Sequence, residues 1–242
     1  MRNPVRRNRK IGTGAAGHGQ DNKMGIPEPR QRGQAWHLAH ENLGQVAVTH
    51  HALAGQEIAL IIEETRPGFS FGNSPDVALA PLTRLAETGF TLPDLLVFRQ
   101  PTNKQISQFP VWGRMQFHAE FSIAGHPGPK GSALMLEAQR VGAELSWPRK
   151  LTLMDQEELA RLRQDGHEIT EDRRGYKISL TETGIGNTLF RRTLLHEFGH
   201  WVDYLRLKGQ EDHGDAYFRR PSAEREAFAH RFASEWQCLC DP

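Results

Sequence analysis

Residues 193–205 read TLLHEFGHWVDYL, and within them His196, Glu197 and His200 make the pattern H-E-x-x-H. An α-helix turns once in about 3.6 residues, so positions i and i+4 share a face and two neutral imidazoles can converge on one tetrahedral ion. Zinc suits such a pair, since imidazole nitrogen is among its ordinary ligands. Glu197 falls at the edge of the same face. From there a carboxylate reaches a water beside the ion without ligating it, which is where metal-assisted hydrolysis needs a general base.

In a chain with 12 histidines three fixed residues can coincide by chance, so the neighbours decide. Leu194, Leu195, Phe198, Trp201, Val202 and Leu205 recur at spacings of 3 and 4, and no proline interrupts residues 185–220. Such a helix is buried on most of its circumference. Two histidines and a glutamate turned inward need compensation, because an unpaired buried polar group costs roughly 2–7 kcal/mol. A shared metal supplies it; a helix that shows these residues to solvent is the alternative.

A third ligand must come from elsewhere. In the metzincin pattern H-E-x-x-H-x-x-G-x-x-H, position 203 is glycine and position 206 histidine, whereas here they are Asp203 and Arg206. A peptide-deformylase arrangement needs a cysteine before the helix, but Cys238 and Cys240 stand near the far end. A carboxylate on a later helix remains. After a polar region containing Gly209 and Gly214, PSAEREAFAHRFASEW opens on Pro221 and Ser222 and carries an apolar face of Ala223, Ala227, Phe228, Phe232, Ala233 and Trp236. Glu224 and Glu226 lie in its first turns, and residues two apart on a helix point about 200° apart, so one of them faces the metal.

Taken together, HEFGHWVD and a later helix of the type E-x-F-A-x-x-F resemble the gluzincin zinc metallopeptidases, above all the branch of anthrax-lethal-factor-like and related bacterial and phage peptidases. The resemblance covers residues 175–236. It implies an α+β, zincin-like fold with a small, twisted, mainly antiparallel sheet, an active-site helix and a second, ligand-bearing helix. It also implies zinc held by His196, His200 and Glu226, with Glu197 as the base and a protein or peptide as substrate. Aligned instead on the E-A-x-x-F-A helix of regulatory peptidases that cleave repressors, the chain offers Glu224 as third ligand. The lethal-factor branch places a tyrosine before the ligand glutamate, which nominates Tyr217 as the donor to the developing oxyanion, with His213 as the alternative. Asp203 is on the ligand face and is expected to orient an imidazole, or else to pair with Arg206 or Lys208.

The elements that must position these residues read as follows. AWHLAHENLGQVAVTHHALAG, Ala35 to Gly55, reads as helical, with His37 and His40 at i, i+3 as a weaker metal pair. EIALIIEE from Glu57 reads as a strand, and SPDVALAPLTRLAETG as partly helical with a break at Pro81. Residues 114–123 and 132–139 alternate as half-buried strands do, separated by a turn in GHPGPKG. Asp155 is expected to cap a helix with Glu158 closing a capping box, GYKISLT (175–181) to be a strand, and TETGIGN to lead into the metal helix.

Composition sets the outer limits. The 242 residues are 38% hydrophobic and 24% charged with a formal net charge of +1, enough for one sizeable core or two small ones. Residues 1–33 hold eight basic side chains against Asp21 and Glu28 and almost no large apolar residues. They read as a disordered basic arm, usually just solvated but able to contact nucleic acid. Residues 34–104 are either a separate module or part of the same domain as the metallopeptidase region, 105–242. No apolar run approaches the 18 or more residues of a membrane span, and the arm lacks the apolar stretch of a secretory signal. A cytoplasmic setting follows from these and from the two cysteines. The competing reading is a catalytically weak gluzincin-like sensing module that works through its arm; Glu197 argues against it, since a pure binder needs no base beside the metal.

Overall fold

Nearly continuous apolar runs, LLVFR at 95–99 and ALMLE at 133–137, demand strands covered on both faces, and the computed structural model places them side by side. It describes residues 38–108, 110–208 and 215–240. The basic arm, His37 and His213 lie outside these residues. The main sheet comprises β1 (Leu38–Leu43), β2 (Val46–Leu53), β3 (Gln56–Glu63), β5 (Leu95–Arg99), β6 (Gly113–Ile123) and β7 (His126–Glu137) in the order β1-β6-β7-β5-β3-β2. Three of its five pairings, β1·β6, β3·β5 and β5·β7, are parallel; β2·β3 and β6·β7 are antiparallel. The fold is thus mixed α and β, and the expected mainly antiparallel sheet is corrected. A two-stranded pair, β4 (Phe69–Ser70) with β8 (Gln139–Arg140), and a three-stranded sheet of β9 (Glu144–Pro148), β10 (Glu168–Asp172) and β11 (Gly175–Ser179) flank it.

The sheet rolls up. Leu43 and Val46 belong to opposite edge strands, yet three Cα steps between them span at most about 11 Å, against about 24 Å for five strand spacings laid flat. At the joint Leu43 accepts a hydrogen bond from Ala124 N–H at the end of β6, and Gln45 one from Glu64 N–H at the end of β3, both 3.0 Å. Alternate residues consequently face two cores. Inside the curl lie Leu43, Ala59, Ile61, Leu95, Val97, Ala119, Phe121, Ala133 and Met135, and the Arg99 guanidinium lies 3.0 Å from Glu41 of the far edge strand. Outside lie Ile58, Leu60, Leu96, Phe98, Leu134 and Leu136, against which the helices pack.

The helices are α1 (Leu79–Glu87), α2 (Asn103–Gln108), α3 (Leu153–Asp165), α4 (Glu182–Asn187), α5 (Leu194–Lys208), α6 (Asp215–Arg219) and α7 (Ser222–Trp236). A π-helical turn at Thr188–Thr193 joins α4 to α5, so the helix runs on from residue 182 to 208. None of the described helices is long and apolar enough to cross a membrane.

Several local expectations are corrected. Residues 38–53 are β1 and β2 rather than helix: Val46, Val48 and Thr49 favour strand, and each strand pairs along one edge, β1 with β6 and β2 with β3. Pro81 does not break α1, because it sits in the first turn, where its missing N–H is not needed. The turn before β7 is confined to Ala124 and Gly125, at φ 49° and 83°. The capping box of α3 is Thr152 with Asp155, not Asp155 with Glu158. Residues 182–187 are helical, with Thr181 as N-cap. The boundary at 104 disappears too: β5 lies between β3 and β7, so segments on both sides of it share one sheet, within the single unit His37–Pro242.

Candidate metal centre

α5 lies along the outer face of the sheet, its Leu194, Leu195 and Phe198 in the core and Trp201 Nε1 donating to the Thr91 carbonyl at 2.8 Å. α7 crosses it at Gly199. A Cβ there would stand 3.0 Å from Ala229 Cα and 3.1 Å from Phe232 Cβ, so the glycine sets how closely the two helices approach. The first turns of α7 thereby come over the paired histidines.

His196 Nε2 lies 3.2 Å from His200 Nε2 and 3.2 Å from Glu226 Oε2, which is 3.7 Å from His200 Nε2. Donors about 2.0–2.1 Å from a tetrahedral ion stand about 3.3–3.4 Å apart. The three atoms therefore match the corners around one small ion, and the donor set of two imidazoles and a carboxylate suits zinc. Among the described residues this is the one group of three such side chains whose ligand atoms converge. The two histidines hold the Glu226 carboxyl far below the usual carboxylate range, ready to ligate.

Glu224 does not join them. It is exposed and its carboxylate lies 3.4 Å from Arg220, as two residues' separation on a helix requires. Glu197 is buried beside the cluster at 8% exposure. Burial pushes its carboxyl up; His196 and His200 pull it down, Glu226 pushes it up, and a hydrogen bond from the Met115 backbone N–H pulls it down.

Tyr217, expected as the oxyanion donor, has its hydroxyl beside His200 rather than in the cluster. Its hydroxyl is 2.9 Å from His200 Nδ1, on the side of the ring remote from Nε2, and the residue is 2% exposed among Phe117, Tyr204 and Phe218. Burial raises its phenol to about 12, although Arg225 pulls the other way. Among the described residues Asp203 pairs with arginines and with no imidazole: Arg206 binds one oxygen at 3.0 Å and Arg220 the other. His40 pairs with Glu120 at 3.3 Å on the sheet edge, away from the centre.

A cavity of about 500 Å³ opens onto His196, Glu197 and Glu226 and is lined also by Trp112, Gly113, Arg161, Arg191 and Arg192. His230 also lines it, its ring centroid 4.5 Å from that of His196. The sequence reading missed His230, though its place one turn after Glu226 on the same helix face was a usable signal. Arg192 binds Asp165 at 2.7 Å and Glu158 at 3.1 Å, pinning α3 to the π-helical turn. Against protein-family models, curated proteins and solved structures alike, the chain has no match.

Proposed function

We propose that the protein is a zinc-dependent peptidase of the gluzincin type, on a zincin-like fold. The convergence of His196, His200 and Glu226 at tetrahedral spacing, with Glu197 buried alongside, carries this reading. Zinc held by these donors supplies a Lewis acid that polarises a scissile carbonyl and makes an adjacent water easier to deprotonate. Glu197 accepts that proton on its carboxylate and returns it to the leaving nitrogen. Its buried setting supports the role, because a carboxyl raised from its ordinary range is a better base.

The cavity walls supply the rest. Among the described residues β1 pairs with β6 only from His118 onward, so the edge at 113–117 has no described strand partner on that side, and Gly113 lines the cavity. An extended peptide laid along this edge gains main-chain hydrogen bonds and brings a peptide bond over Glu197. His230, facing the same space, takes the oxyanion-donor role first assigned to Tyr217 or His213.

The test is hydrolysis of an unstructured protein such as casein by the zinc-loaded chain. Glu197→Gln is expected to keep one equivalent of zinc and lose at least about a hundredfold in turnover, the lower range for a general base. Retained metal with retained cleavage removes Glu197 from the mechanism, and a wild-type chain that binds zinc but cleaves no peptide points to the sensing module instead.

A further inference from the structure

The hydroxyl of Tyr217 faces the outer nitrogen of His200, while its ring carries the guanidinium of Arg225, Cζ 5.1 Å from the ring centroid. Arg225 immediately precedes Glu226. One buried phenol therefore touches a ligand of α5 and the residue beside a ligand of α7. We propose that Tyr217 is a positioning residue that fixes the metal-binding form of His200 and clamps the two ligand-bearing helices together; this rests on the metal-centre reading.

An imidazole binds a metal through one nitrogen only when the other carries the proton, and a hydrogen-bond partner at that other nitrogen selects the tautomer and holds the ring plane. A phenol oxygen accepts from two donors. In the metal-binding form one of them is His200 Nδ1–H, which leaves the Nε2 lone pair of His200 directed at Glu226 and His196. The carboxylate that could have done this, Asp203, is committed on both oxygens to Arg206 and Arg220. Arg220 extends the tie, since it reaches Glu224 at 3.4 Å as well. His196 is held differently: among the described residues its buried Nδ1 has no hydrogen-bond partner. The two imidazoles are thus not equivalent, and His200 is the one whose orientation the protein fixes through a neighbouring side chain.

Tyr217→Phe removes the hydroxyl and keeps the ring among Phe117, Tyr204 and Phe218. The zinc dissociation constant, measured by competition with a chromophoric chelator, is expected to rise about 10–100-fold, the usual loss when such a partner is removed. The visible bands of the cobalt-substituted protein shift with it, and in two-dimensional ¹H–¹⁵N spectra the His200 Nδ1–H of the zinc-loaded wild type is slow to exchange with solvent but fast in the variant. Arg225→Met, which keeps a stem over the ring without the guanidinium charge, gives a smaller loss of the same sign. Unchanged zinc affinity and cobalt spectrum in a Tyr217→Phe chain of native thermal stability overturn the clamp alone, whereas a wild-type chain that binds no zinc overturns the metal centre with it.

Discussion

Asp203 exposes no surface at all, and the two arginines that hold its oxygens join α5 to the start of α7. Taking away its charge leaves Arg220 facing a weaker acceptor. Asp203→Asn is expected to lower unfolding free energy by about 1.5–3 kcal/mol, the range for hydrogen bonds to charged groups, and to leave zinc affinity within a few-fold; urea titration and chelator competition on one preparation check both. His167 gives a pH-dependent counterpart. Its ring is buried at 4% exposure, with Nε2 3.1 Å from Thr188 Oγ1, and burial, the leading cause, lowers its pKa. The unfolded chain thus takes up a proton near the ordinary value of about 6.5 where the native state does not, so stability falls as pH drops through that region. The loss levels off only below the native pKa. His167→Gln is expected to flatten this part of the stability–pH curve, and parallel curves for variant and wild type would remove His167 as its source.

At the level of elements, what the sequence made legible follows periodicity. The motif helix and α7 were readable because their apolar residues recur every 3 or 4 positions, and β3, β6 and β11 because runs of apolar or alternating residues match strands. Residues 38–53 were misread because Leu38, Leu43, Val46 and Leu53 suit a helix as well as a strand, and only partners distant in sequence, β6 and β3, decide between them. The rolled sheet was illegible for the same reason: it depends on which edges meet at Gly44–Gln45. Glu226 rather than Glu224 comes beside the two histidines through the crossing of α5 and α7, whose closeness depends on Gly199. In an isolated helix Gly199→Ala gains about 1 kcal/mol of helix propensity. Here the added methyl meets the Ala229 backbone, so zinc affinity is expected to fall severalfold while far-ultraviolet circular dichroism stays native. A tighter site in the alanine variant would contradict this packing.

Across the whole molecule, the curled sheet and the metal centre place opposite demands on buried charge. Inside the curl, Arg99 is 3% exposed and lies between Glu41 and Glu137, and Arg114 bridges the same two carboxylates. Burial pushes both glutamates up while Arg114 pulls them down. Removing one partner strands the rest, so Glu137→Leu is expected to cost about 3–5 kcal/mol, read as a lower urea midpoint. At the proposed metal centre the reverse holds: His196, His200 and Glu226 converge as donors that an ion would stabilise. The most direct measurement is therefore the zinc content of the purified chain by mass spectrometry, alongside Glu226→Gln and Glu224→Gln. One equivalent in the wild type and in Glu224→Gln, with a large loss in Glu226→Gln, is the expected result; a wild-type chain without bound metal, or a Glu226→Gln chain that holds it as tightly, contradicts the site.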